Sequence, residues 1–96
     1  MTEEPLDRLA SLTMLRGVLK EVQLPIADAE QVLVLLSAGE LQVALETLCI
    51  QAYEYDVGVP LKQRETLERL GRALGVPVGY LLGDPWAAAP GCRRPL

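Results

Sequence analysis

The chain of 96 residues contains no histidine, and this absence limits the chemistry available to it. Histidine is the commonest general base and metal ligand at neutral pH, so only carboxylate, lysine, tyrosine and cysteine side chains remain as candidates. The two cysteines, Cys49 and Cys92, have no neighbours with the spacing of zinc ligands. We therefore expect no catalytic residue, no metal site and no cofactor, and we interpret the protein as a non-enzyme.

Aromatic and basic residues are also scarce. Phenylalanine is absent and aromatics make up 4% of the chain, so the core must be built from leucine, valine and alanine, which favours helices. Nine basic residues against thirteen acidic ones give a formal charge of −4, which is unfavourable for binding nucleic acid. The N-terminus lacks the positive charge of a signal peptide, and no apolar run approaches the ~18 residues of a membrane span. These features predict a cytoplasmic protein without a membrane partner.

Apolar residues recur at spacings of three and four, which predicts an all-α bundle of four to five helices. The first helix is expected over residues 5–22. Asp28 and Gln31 resemble a capping box, so the second helix is expected to begin at Asp28, and its apolar residues on most sides suggest a central position. Ser37 and Glu40 form a second such pattern before a third helix over residues 39–55. Cys49 lies on this helix and is expected in the core.

The remaining helices follow a break in the pattern. Pro60 suits the start of a fourth helix and Gly75 suits the position just after its end. A last helical turn within residues 76–82 is expected to pack Tyr80, Leu81 or Leu82 onto the core. Residues 84–96 are rich in proline, glycine and alanine, so we predict one domain over residues 1–83 and a flexible, disordered C-terminal tail, with Trp86 docked at its root.

The third helix has an unusual face opposite its core side. At 100° per residue, one arc holds the expected core residues Leu41, Ala44, Leu45, Leu48, Ala52 and Tyr55. The opposite arc holds Val43, Glu46, Thr47, Ile50, Tyr53 and Glu54. One interpretation is that Val43 and Ile50 are buried in a second contact within the bundle. The other is a binding surface on which apolar and tyrosine side chains provide contact area and acids select the partner.

Charge is concentrated in the same part of the chain. Residues 37–56 contain four acids and no base, which equals the net charge of the whole chain. Glu54 and Asp56 lie at the C-terminal end of the predicted helix, where the helix dipole disfavours negative charge. A solvated face is one explanation of this acidic block. A surface for a basic partner is the other.

The segment over residues 38–56 resembles the central part of MafI-type immunity proteins, in its Gly-Glu start, its Ala-Leu-Glu-x-Leu-Cys core and its Tyr-Glu-Tyr-Asp end. The similarity extends over residues 29–83. The resemblance implies a non-catalytic protein that binds a cognate toxin domain, often a nuclease, and neutralises it. The candidate partner-binding residues are Glu40, Val43, Glu46, Ile50, Tyr53, Glu54 and Asp56. Glu46 could instead bond to a neighbouring helix, Tyr55 is expected to pack in the core, and the choice between monomer and homodimer stays open.

A second resemblance leads to a different function. Residues 65–84 are similar to the C-terminal helix and following turn of Cro/CI-type helix-turn-helix regulators. In those proteins an upstream helix reads the DNA bases, whereas the corresponding part of this chain is acidic and would repel phosphate. A DNA-binding regulator and a purely structural helical interaction module are therefore the alternatives to the immunity function.

Overall fold

Five α-helices make up the secondary structure of residues 7–84, the part of the chain that the computed structural model describes. The helices are α1 (Arg8–Glu21), α2 (Ile26–Ser37), α3 (Leu41–Glu54), α4 (Leu61–Leu74) and α5 (Val78–Leu81). No strand occurs in the described residues. The predicted all-α bundle of four to five helices is therefore confirmed.

The third helix, α3, lies at the centre of the bundle and packs against the four other helices. Its inner face is buried as the periodicity predicted, with the exception of Tyr55, and includes Leu45, Leu48 and the free thiol of Cys49. Leu15 of α1 and Leu67 of α4 complete the core around it. Burial of these side chains supplies the main force that holds the helices together.

The second helix, α2, lies at the edge of the bundle, so its predicted central position is wrong. It contacts α3 and α1 but neither α4 nor α5. Val32 and Leu36 are buried, whereas Ile26 and Val34 are 79% and 66% exposed. An apolar helix is normally covered on most sides, but this bundle offers α2 neighbours on one side alone.

The helix starts differ in part from the predicted capping. At α1 the Asp7 carboxylate accepts a hydrogen bond from the Ala10 N–H at 2.7 Å, a regular N-cap. The predicted capping box at Asp28 is wrong, because α2 begins at Ile26 directly after Pro25 and has no side-chain cap. Proline can precede a helix in this way because its ring sets a backbone conformation compatible with helix entry.

The turn between α2 and α3 consists of residues 38–40. Gly39 has φ of 80°, a left-handed conformation that side chains disfavour. Its carbonyl accepts a hydrogen bond from the Arg8 guanidinium, which joins the start of α1 to this turn. The second predicted capping box is also wrong, since Ser37 ends α2 and Glu40 makes no side-chain cap.

The short helix α5 packs against α4 and α3. Gly75 ends α4 with φ of 73°, as the sequence predicted. Gly71 is buried in α4, and a Cβ atom there would lie 2.6 Å from the Val76 carbonyl oxygen and 2.7 Å from Cγ2 of Val78. Glycine therefore lets the chain fold back closely after α4 and places α5 beside α3.

The described chain ends at Asp84, the first residue of the predicted tail. The Asp84 carboxylate lies 3.6 Å from the Arg64 guanidinium. Residues 85–96, and with them the predictions for the tail and for Trp86, lie outside the described residues.

Candidate protein-binding surface on the central helix

The outer face of α3 is accessible to solvent. Val43 and Ile50 are 41% and 42% exposed, and Tyr53 is 63% exposed. The interpretation in which Val43 and Ile50 are buried inside the monomer is therefore wrong. Contact with a partner or with a second copy of the chain stays a prediction for these side chains.

The four acids of this region differ in their surroundings. Glu40, Glu54 and Asp56 are exposed, and Glu46 is half-buried. Asp56 has φ of 52°, a left-handed conformation that aspartate tolerates better than most residues. Because α3 rises about 1.5 Å per residue, Glu40 and Glu54 lie roughly 20 Å apart at its two ends. The acids therefore line the length of the helix and do not form one compact cluster.

Tyr55 was expected in the core, and this expectation is wrong. The side chain is 52% exposed, because Tyr55 lies at the C-terminal end of α3, beyond Ala52, the last buried residue of the helix. Hydrogen bonding to the Asp28 carboxylate and the charge of that group raise the pKa of Tyr55.

A groove of about 390 Å³ lies where α3 meets α5 and the residues that follow it. Its lining consists of Ile50, Tyr53, Tyr80, Leu81, Gly83 and Asp84. Gly83 has φ of 89°, and a Cβ atom at this position would overlap the ring of Tyr53. The backbone at Gly83 therefore lies directly against the Tyr53 ring and supports one wall of the groove.

Sequence reasoning identified only one side of this groove. Ile50 and Tyr53 were candidates from the helical wheel, whereas Tyr80, Leu81 or Leu82 was expected to pack onto the core. Leu81 and Leu82 do pack against the core, but Tyr80 is 43% exposed. The Leu-Leu-Gly-Asp sequence after Tyr80 gave no signal that it would return to α3.

A smaller concavity of about 170 Å³ lies on the other side of Tyr53. Asp56 and Arg64 are among its lining residues. Arg64 lies 3.5 Å from a Glu68 carboxylate oxygen and 3.6 Å from one of Asp84, so it pairs with both acids.

The structure thus brings part of the predicted site together. Ile50, Tyr53 and Asp56 line two adjoining concavities. Val43 lies about 10 Å from Ile50 along the helix axis, and Glu40 lies farther still. The C-terminal half of α3 is therefore the better-formed part of the surface.

The thiol of Cys49 lies in the core. Burial raises the pKa of the Cys49 thiol to about 12, although the charge of Arg64 opposes this shift, so the thiolate nucleophile is disfavoured at neutral pH. Within residues 7–84 no group of three or more cysteine, aspartate and glutamate side chains is placed to hold a metal ion. No helix in the same part of the chain combines the length and hydropathy needed to span a membrane.

Fold and surface together define a small all-α bundle whose central helix exposes apolar, tyrosine and acidic side chains. Compared with models of protein families, with curated proteins and with solved structures, the chain matches none. Membership of the MafI-type family therefore stays a prediction from the residues of the chain.

Proposed function

We propose that the protein is an immunity protein that binds a cognate bacterial toxin domain, of nuclease type, in the cytoplasm and neutralises it without catalysis. The observation that carries this proposal is the exposure of Ile50 and Tyr53 on the central helix, next to the acids at its C-terminal end. Large side chains of this kind provide most of the binding energy of protein interfaces when a partner covers them.

The charge of the surface supports a basic partner. A nuclease needs a positively charged surface to hold its nucleic-acid substrate. Residues 37–56 contain no lysine or arginine, so the outer face of α3 complements such a surface. Complementary potential raises the association rate and disfavours wrong partners. An immunity protein needs both effects, because it must reach its toxin before the toxin reaches its substrate.

The first experiment is co-expression in a bacterial host with the C-terminal domain of any large secreted protein encoded immediately upstream. Host survival and co-purification as a one-to-one complex are the expected results. Toxicity that co-expression does not relieve, or an absence of toxicity from every neighbouring domain, would contradict the proposal.

A charge reversal with a matched control tests the role of α3. Glu54 and Glu21 are both exposed, and each is the last residue of a 14-residue helix. Replacing either by lysine should leave stability unchanged or raise it by about 0.3–1 kcal/mol through the helix dipole. Glu54→Lys should slow association with the toxin and reduce its salt dependence, whereas Glu21→Lys should not. Equal association rates for the two variants would contradict binding through this end of α3.

A DNA-binding regulator is the second candidate, and the turn between α2 and α3 favours it. A short turn with a left-handed glycine such as Gly39 also joins the two helices of a helix-turn-helix motif. The helix after the turn would then enter the major groove, but its exposed acids Glu40 and Glu54 would face phosphates. A DNA-binding assay at several salt concentrations separates the two functions, since phosphate contacts weaken steeply with salt.

A structural module that pairs with a second copy is the third candidate. The exposed Val43 and Ile50 would then form a homodimer interface. Sedimentation at several protein concentrations distinguishes this role, because only a homodimer dissociates on dilution in the absence of other proteins.

A further inference from the structure

The groove between α3 and α5 is lined by aromatic, aliphatic and acidic side chains. Tyr53 and Tyr80 contribute two aromatic rings from different helices. Ile50 and Leu81 contribute aliphatic surface, and Asp84 contributes a carboxylate at the end of the groove. A volume of about 390 Å³ is near the lower end of the roughly 300–1,000 Å³ found for ligand sites. The groove therefore suits one long side chain of a partner.

The charge around the groove is negative. None of the described residues that line it is basic. Asp84 contributes a carboxylate to the groove, and the Arg64 guanidinium 3.6 Å from it is also paired with Glu68. Asp56, on the far side of Tyr53, adds a further carboxylate. A cationic side chain therefore fits the groove better than a neutral one.

We propose that this groove receives an arginine side chain of the partner protein, stacked against Tyr53 and Tyr80 with its guanidinium directed to Asp84. This inference rests on the proposed function only in taking the partner to be a basic protein. Arginine suits all three surfaces: its methylene groups cover Ile50 and Leu81, its planar head stacks on tyrosine, and its donors match a carboxylate. A lysine ammonium is more strongly hydrated and cannot stack in the same way.

The test uses the full chain labelled with ¹⁵N and four capped peptides of sequence Gly-Gly-X-Gly-Gly. X is arginine, citrulline, lysine or norleucine. Citrulline keeps the length and planarity of arginine and removes its charge. The arginine peptide should give saturable amide shifts centred on Ile50, Tyr53, Tyr80 and Gly83. Its dissociation constant should be at least about tenfold below that of the citrulline peptide, equivalent to about 1.4 kcal/mol. Equal binding of citrulline or norleucine, or shifts centred elsewhere, would overturn the proposal.

The three tyrosines of the chain provide matched variants. Tyr53→Leu and Tyr80→Leu should each weaken binding of the arginine peptide several-fold, because each removes a ring that faces the cation. Tyr55→Leu should not, since Tyr55 is exposed but contacts Asp28 and does not line the groove. Asp84→Asn should weaken binding most at low salt. Equal effects of the three tyrosine substitutions would show that the groove is not the site.

Other occupants give distinct signals in the same samples. A second copy of the chain would produce shifts at Ile50 and Tyr80 that depend on protein concentration without any peptide. Residues 85–96 of the same chain in the groove would produce nuclear Overhauser effects between Trp86 and Tyr53 without peptide. Either result would overturn the assignment to a partner arginine.

The two proposals fail in different experiments. If the wild-type protein rescues the host and Tyr53→Leu and Tyr80→Leu rescue it equally well, the immunity function is supported and the arginine groove is contradicted. If the arginine peptide binds but the protein relieves the toxicity of no toxin domain, the arginine groove is supported and the immunity function is contradicted.

Discussion

Two glycines in helix interiors should respond in opposite directions to the same substitution. Gly17 lies in α1 and Gly71 in α4, so alanine at either position should gain about 0.5–1 kcal/mol from helix propensity. A Cβ atom at Gly17 meets nothing within 4 Å. Gly17→Ala should therefore stabilise the protein by the full propensity gain.

At Gly71 the surrounding atoms should turn the gain in stability expected from alanine into a loss. The added Cβ atom would lie 2.6 Å from a backbone oxygen of Val76 and 2.7 Å from the side chain of Val78. Neither atom can move alone, because one belongs to the backbone and the other to a β-branched side chain with a stiff χ1 angle. Overpacking of this kind costs about 1–3 kcal/mol. After the propensity gain of about 0.5–1 kcal/mol is subtracted, Gly71→Ala should lose up to about 2.5 kcal/mol.

Urea unfolding followed by far-UV circular dichroism measures both values, and thermal unfolding provides a second reading. The propensity gain is common to both variants, so their stabilities should differ by the overpacking cost of about 1–3 kcal/mol. Because about 1 kcal/mol corresponds to 4–8 °C in a domain of this size, their melting temperatures should differ by about 4–24 °C, with Gly71→Ala the lower. The reasoning is refuted if Gly71→Ala is as stable as Gly17→Ala, because α5 would then not be held against α4 as the structure places it.

Further predictions concern the cap, the core and the buried thiol. Asp7→Ala should lose about 1 kcal/mol of stability in urea unfolding by removing the N-cap of α1, and an unchanged midpoint would contradict that role. Leu48→Ala should lose about 2–5 kcal/mol, whereas Leu61→Ala, at a side chain 73% exposed, should stay within about 0.5 kcal/mol. Burial raises the pKa of Cys49 from 9.0 to about 12, so the folded state keeps a proton that the unfolded state releases above pH 9. The stability of the wild type relative to Cys49→Ala should therefore be full below pH 9 and fall by up to about 1.4 kcal/mol per unit as the pH rises towards 12, and a constant difference would contradict the burial.

The inner face of α3 could be predicted because it depends on local spacing alone. Leu45 and Leu48 repeat at the helical period, and any helix formed by this segment places them on one side. Pro60 and Gly75 similarly marked the two ends of α4. In both cases the residues that indicate the structure are within a few positions, along the sequence, of the element that they predict.

The position of α2 could not be predicted in this way. Its apolar residues on several sides indicate a helix with many neighbours, but the number of neighbours depends on how the other helices are arranged. The exposure of Tyr55 has a similar origin, since it depends on which helices reach the C-terminal end of α3. Both features result from tertiary packing, which a helical wheel does not contain.

The groove depends on α5, and this dependence explains why stability and binding should be coupled at Gly71. A helix of four residues cannot form alone, because isolated helices shorter than about 12–15 residues are marginal in water. Contacts with α3 and α4, the close approach at Gly71 and the pairing of Arg64 with Asp84 hold it in place. Displacing α5 by Gly71→Ala would therefore separate Tyr80 from Tyr53 while the core around α3 stays folded. The arginine peptide should then bind Gly71→Ala more weakly than Gly17→Ala even at temperatures where both variants are fully folded.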